Sequence, residues 1–110
     1  MNQTAESLGC TGSHFANPSG LNDENHYTTA HDMALITRAA IQNPDFLEID
    51  GARNYKLPPT KRNLEGGYVA NHHRMLVKNT SVYYPGAFAG KTGYTSIAGN
   101  TLVPVQRKTI

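Results

Sequence analysis

The stretch "AGKTGYTSIAGNTLV", residues 89–103, places a lone ammonium at Lys91 beside residues with almost no side chain. Read as two extended segments joined by a turn at Ser96 to Gly99, it predicts an antiparallel strand pair. A structural turn has no need of that lysine, whereas a strand lining a cleft has three uses for its neighbourhood. Gly93 lets a ligand backbone come close, as glycine in strands often does. Open strand N–H and C=O groups pair with an extended, peptide-like substrate. Lys91 supplies a cation for a substrate carboxylate, or sets the proton affinity of a neighbouring hydroxyl. Three letters recur by chance, so the surrounding chain has to carry the reading.

Outward from this pair, "SVYYPGAFAGKTGYT" (81–95) and "AGNTLVPVQ" (98–106) form its two strands, with Pro104 awkward inside the second. Upstream, "NHHRMLVKN" (71–79) reads as a short helical turn carrying Met75 and Leu76 inward. From "NYKLPPT" (54–60) onward the chain turns extended, and Pro58 and Pro59 mark an edge or a connector. In "YTTAHDMALITRAAIQNP" (27–44), Thr29 caps a helix and Asp32, three residues on, completes a capping box. Met33, Ile36, Ala40 and Ile41 follow at helical spacing on one face, and Asn43-Pro44 ends the helix. "CTGSHFANPSGLNDENHY" (10–27) is loop by composition, and its length favours a functional or tightly packed loop. "MNQTAESLG" (1–9) is a short helix stopped by Gly9. No repeat or low-complexity segment occurs. The order is helix, loop, helix, connector, antiparallel pair, in a mixed α/β class.

Composition narrows the function. The 110 residues carry a formal charge of +2, no Trp and 38% hydrophobic residues, enough for a lean core in one small domain or a piece of one. No run of Lys or Arg forms a stripe, and Arg107 and Lys108 read as a solvated strand end, so nucleic acid is not a partner. Cys10 stands alone, which excludes an intrachain disulfide framework. Without a nucleophile signature around it, Cys10 reads as a small buried or idle residue. His14, His26, His31, His72 and His73 show no metal-ligand spacing, and the reading is packing or solvent exposure with no metal and no cofactor. No apolar run approaches the roughly 20 residues of a membrane helix. "MNQTAESLGC" lacks a signal peptide, so nothing in the chain as written sends it out of the cytoplasm.

Four blocks then occur in order with consistent spacing: "SHFANPSGL", "NHYTTAHDMALITRA", "NHHRML" and "GKTGYTSIAGNTLV". Together they closely resemble the serine-type D-Ala-D-Ala carboxypeptidases, the low-molecular-mass penicillin-binding proteins, from Met1 to about Val103. The first block is the most specific. Class A β-lactamases share a lysine triplet but not the Asn-Pro-Ser-Gly-Leu loop. The resemblance implies a β-lactamase/transpeptidase-like fold, with helices packed on an antiparallel sheet, incomplete in this chain. It implies hydrolysis through an acyl-enzyme, using serines from S-x-x-K and S-x-N motifs and the strand K-T-G. On that reading Lys91 faces the two serines, and the Thr92 hydroxyl holds the terminal carboxylate of the peptide. Gly93 completes the triplet, and the Tyr94 backbone N–H is an oxyanion-hole donor.

The serines of this chain are Ser7, Ser13, Ser19, Ser81 and Ser96; none has a lysine three residues later or an asparagine two residues later. In the family both serine motifs lie upstream of the segment resembling "MNQTAESLG". The expectation is therefore a fragment, residues 1–110, of a carboxypeptidase catalytic domain, inactive alone, with Met1 matching an internal family methionine. Its end falls before the family's later strand and terminal helix, and "PVQRKTI" departs from the usual continuation. The complete protein would remove the terminal D-Ala from peptidoglycan stem pentapeptides on the outer face of the bacterial envelope. It would react with β-lactams and need the N-terminal part of its own domain as a partner. The alternative is a non-enzymatic muropeptide- or partner-binding module on the same half-domain. A histidine-dependent metal protein ranks below both.

Overall fold

Helix α1, Asn2–Ser7, ends on Leu8, and Gly9 turns to φ +86°. The Cys10 N–H then reaches the Ala5 carbonyl at 3.0 Å and the Gly9 N–H reaches Glu6 at 3.0 Å, the paired bonds of a Schellman stop. The computed structural model describes residues 1–107, so Lys108 and the last residues of "PVQRKTI" lie outside what is described. Helix α2 spans Ala30–Ala40, with Thr29 accepting the Asp32 N–H at 3.1 Å. Only that half of the expected capping box forms. The Asp32 carboxylate turns instead to the loop before it, taking the Gly12 N–H at 2.8 Å and the Ser13 hydroxyl at 2.7 Å.

The loop from Cys10 to Tyr27 is tightly tied. His14 and Tyr27 form an isolated antiparallel bridge, and both ends of the Asn2 side chain bond the backbone of Phe15. Asn17 accepts the Gly20 N–H and donates to Leu21 O, which closes the Asn-Pro-Ser-Gly-Leu turn. The loop's far side reaches the strand pair, where the Thr95 hydroxyl donates to Asn22 at 3.1 Å.

Asn43-Pro44 does more than end α2. Asn43 accepts the N–H groups of Asp45 and Phe46, and Pro44 opens a further helix, α3, Pro44–Asp50. A fixed φ and a missing N–H suit proline to a first helical position. Strands β1 (Asn54–Leu57) and β2 (Gly67–Ala70) then pair antiparallel as an exposed hairpin. A 3-10 turn, Arg74–Leu76, buries Leu76 almost completely and Met75 partly. Strands β3 (Ala87–Thr95) and β4 (Gly99–Gln106) form the second antiparallel sheet.

The buried apolar side chains among the described residues are Ala5, Cys10, Leu76, Ala87 and Ala89, and only one of them is large. The expected apolar face of α2 is only half covered, and its one fully buried residue is Asp32. Met33 and Ile36 line one groove against α1, Leu8 and Phe15, and a second against Val103 and Val105. The chain exposes 8771 Å², whereas a compact protein of 12.0 kDa exposes roughly 6000 Å². Its radius of gyration is 16.2 Å, against roughly 13 Å for a compact chain of this length. These helices and sheets have apolar faces that the chain does not cover for itself.

Candidate functional site

The site is built on β3. Gly90 pairs with Pro104 on β4, yet the Gly90 N–H points the other way, to Asp50 Oδ2 on α3 at 2.9 Å. Gly90 and Pro104 are therefore a non-hydrogen-bonded pair, and the N–H that proline lacks would have faced away from β3. This removes the difficulty of a proline inside β4. Antiparallel pairing alternates, so Thr92↔Leu102 and Tyr94↔Asn100 are pairs of the same kind. The backbone N–H and C=O of Thr92 and Tyr94 consequently face the open edge of β3. Lys91 and Gly93 turn theirs inward, to Val103 and Thr101.

Strand alternation also sorts the side chains. Lys91 lies on the face of Val103, beside the groove formed with Met33, Ile36 and Ala40 of α2. Its ammonium is exposed and donates to the Thr92 carbonyl on the open edge. Thr92 is half-buried; Tyr94 is 71% exposed. A Cβ on Gly93 would stand 2.7 Å from Thr101 Oγ1, displacing the hydroxyl that donates to the Gly93 carbonyl at 3.2 Å. The four sequence-predicted residues, Lys91, Thr92, Gly93 and Tyr94, thus stay together on one accessible strand. A cation, a hydroxyl and an accessible strand edge, with the Thr92 carbonyl held by Lys91 and the Tyr94 groups open, is a set suited to hold an extended peptide with a carboxylate.

Sequence reading missed the residues behind this strand. Gly90 is buried with φ +148°, a conformation that side-chain-bearing residues rarely adopt. His73 is 1% exposed, and neither ring nitrogen has a hydrogen-bond partner. Burial pulls its imidazole below the ordinary histidine range, while the Asp50 carboxylate opposes this by a smaller amount. The only hint in the sequence was a third glycine directly before the lysine.

Two of the other histidines make local hydrogen bonds. His14 Nδ1 meets the Asn25 carbonyl, so that nitrogen carries the proton, and His26 Nδ1 accepts the Ala16 N–H. His31 is exposed, 3.6 Å from Asp32 Oδ1, and His72 is exposed. Among the described residues no three His, Cys, Asp or Glu side chains converge as metal ligands. Cys10 is buried with its thiol on the Asp32 carbonyl, and burial together with the Asp32 charge pushes its pKa up, against nucleophilic use. No helix of the described residues is long and apolar enough to cross a membrane.

A family model described as D-alanyl-D-alanine carboxypeptidase matches residues 1–109. The chain is 37% identical over 105 residues to D-alanyl-D-alanine carboxypeptidase DacB2 of Mycobacterium tuberculosis, covering 94% of this chain and 33% of that protein. It is 30% identical over 109 residues to D-alanyl-D-alanine carboxypeptidase DacF of Bacillus subtilis, covering 98% and 26%. A crystal structure of a D-alanyl-D-alanine carboxypeptidase from Mycobacterium tuberculosis superposes with TM-score 0.78 at 35% identity, over 97% of this chain and 38% of that one. A mutant of a Streptomyces DD-transpeptidase gives 0.82 at 25% identity, over 97% and 40%. The chain spans a third or less of the length of these two curated relatives.

Proposed function

We propose, because this chain belongs to the D-alanyl-D-alanine carboxypeptidase family, that it forms the substrate-strand wall of a serine-type D-Ala-D-Ala carboxypeptidase. The assembled enzyme removes the terminal D-Ala of a peptidoglycan stem peptide through an acyl-enzyme, outside the cytoplasmic membrane, and β-lactams acylate it in the peptide's place. The observation that carries this reading is the open edge of β3, where Thr92 and Tyr94 present backbone groups beside the exposed Lys91.

In this role the peptide lies along β3 as an added strand. The Thr92 hydroxyl and the Lys91 ammonium hold its terminal carboxylate, and Gly93 leaves room for its backbone. The Tyr94 N–H faces the developing oxyanion. Lys91 also assists proton transfer at the nucleophilic serine, which stands on a segment with the S-x-x-K pattern that none of this chain's serines shows. That segment packs in the grooves along Met33 and Ile36, whose apolar walls are half open. No metal or organic cofactor takes part in these steps.

The test joins this chain to the S-x-x-K and S-x-N segments of a relative and labels the product with fluorescent penicillin. The fusion labels at the supplied serine, and the chain alone does not. Lys91→Ala in the fusion slows acylation by roughly a hundred- to thousand-fold, the effect of losing one electrostatic contact to the transition state. Lys91→Arg recovers part of the rate, because a planar guanidinium does not place its charge where a compact ammonium does. Wild-type labelling by Lys91→Ala with an unchanged melting temperature would reduce the triplet to a turn. A covalent band on the chain alone, lost in one of its own Ser→Ala variants, would remove the need for a serine from elsewhere.

A further inference from the structure

Gly90 is held from two sides. Its N–H is bound by the Asp50 carboxylate at 2.9 Å. On the other side, a Cβ at Gly90 would stand 2.5 Å from His73 Cε1 and 2.6 Å from Nδ1, so the imidazole fills the place of a side chain. The two holders are joined to each other. Asn71 accepts the His73 N–H at 2.8 Å and donates to the Ala52 carbonyl at 2.9 Å, just past the end of α3. Gly51 lets that end lie against the β3 backbone, since a Cβ there would meet the Phe88 carbonyl at 2.6 Å. Asp50, Asn71 and His73 thus close a ring around one residue, and the next residue is Lys91.

We propose that Asp50 and His73 are positioning residues that clamp Gly90 in its unusual backbone conformation and so fix the direction in which Lys91 and the open edge of β3 leave the sheet. The proposal deepens the carboxypeptidase reading, on whose assignment of Lys91 it rests. Glycine reaches φ +148° without strain and leaves it as readily, so contacts from outside must hold the residue there. A carboxylate on the amide and a ring on the α-carbon do that. Both are also placed at some cost: Asp50 puts a negative charge at the carbonyl end of α3, and His73 buries two nitrogens without partners.

The clamp requires a neutral His73. The charged group that acts on it is Asp50 from α3; His72 and Arg74 flank it in sequence, and Lys91 follows the clamped Gly90 with its side chain on the α2 side of β3. Of these only Asp50 favours a protonated ring, and one of its oxygens, Oδ2, is engaged by Gly90. Protonation therefore drives the ring from its seat and loosens Gly90.

Amide exchange and imidazole titration by NMR on the whole chain, carrying Met33→Lys and Ile36→Glu in every sample to keep it monomeric, test this without any acylation step. A failed penicillin-labelling experiment leaves the result standing, and a failed clamp leaves the family assignment standing. In the wild type the Gly90 amide exchanges more slowly than those of Thr92 and Tyr94, which face the open edge. Asp50→Ala speeds Gly90 exchange on the order of tenfold or more, as expected for losing a hydrogen bond to a charged acceptor. Asp50→Asn falls between, because an amide oxygen still accepts. His73→Ala shifts the Lys91 and Thr92 amide resonances while leaving those of α1 in place. His73→Phe keeps Gly90 protected and abolishes the acid-side loosening that the wild type shows below about pH 6.5. Gly90 exchange as fast as Thr92 in the wild type, or unchanged in Asp50→Ala with its helix signal intact, overturns the proposal. If Asp50→Ala does not fold, Asp50→Asn decides by the same criterion. A His73→Phe variant that loosens like wild type in acid overturns the histidine's part.

Discussion

Two buried ionisable side chains anchor opposite parts of this molecule, and they are served very differently. Asp32, at the start of α2, has the Gly12 N–H and the Ser13 hydroxyl on one oxygen and His31 near the other. His73, under β3, has nothing on either nitrogen. The Asp32 site is a finished knot that ties the long loop to a helix. The His73 site gives up polar satisfaction so that a ring can press on the backbone beside the lysine. On the proposed clamp, His73 gives up hydrogen bonds in exchange for fixing its neighbour Gly90.

The largest expected effect would break the Asp32 knot. Asp32→Ala leaves the Gly12 N–H without its acceptor and the Ser13 hydroxyl with Thr28 alone, and the helical signal at 222 nm is expected to be lost at a clearly lower temperature than in the wild type. Loss at the wild-type temperature would show that the loop holds itself. Next in size is association. The half-open faces of Met33 and Ile36 should drive the chain into oligomers at micromolar concentration, visible by light scattering, and Met33→Lys with Ile36→Glu should shift it towards monomer. A clean wild-type monomer with cooperative unfolding would favour an independent binding module.

A smaller effect separates the two sites by pH. The folded-state pKa of His73 lies below its unfolded value, so the unfolded chain binds the extra proton first. Stability is then complete above about pH 6.5 and declines as pH falls through that value. Asp32 is also shifted down, chiefly by the Ser13 hydroxyl and then by Gly12 and His31, with burial opposing. Its contribution is present above about pH 4 and is lost only as pH falls further. Denaturant midpoints between pH 8 and 3 should show two declines, and His73→Phe should erase the first alone. The smallest effect belongs to His31, whose side chain is 80% exposed. His31→Ala should leave the midpoint within experimental error, since an exposed pair contributes little. A clear loss would mean that the finish of the Asp32 site depends on its surface partner.

What the sequence made legible follows the same division. The stop of α1 at Gly9, the cap of α2 at Thr29 and the turn before Gly99 are local chemistry, written in adjacent residues. Helix α3 was legible in principle, since Asn43-Pro44 is both a stop and a start, but only the stop was read. Strand β2 was not, because most of its residues are exposed on both faces and only pairing with β1 defines it. The lysine triplet could be found from its letters. Asp50 lies 40 residues from Gly90, and no local pattern announces a carboxylate meant for a distant amide. The capping-box reading of Asp32 failed for a related reason: a tertiary partner outbid the local one.

The Gly90–Pro104 pair makes the β3–β4 sheet unequal in how it can grow. A strand arriving on the outer side of β4 finds no donor at Pro104, and must bulge or end there. A strand arriving on β3 finds the donors of Thr92 and Tyr94 open, and meets Asp50 already bound at Gly90. Self-association through this sheet is therefore directed to the open edge of β3, where the proposed function seats a peptide. Aggregation and peptide binding compete for the same hydrogen bonds, and a ligand that occupies the edge should also keep the chain soluble.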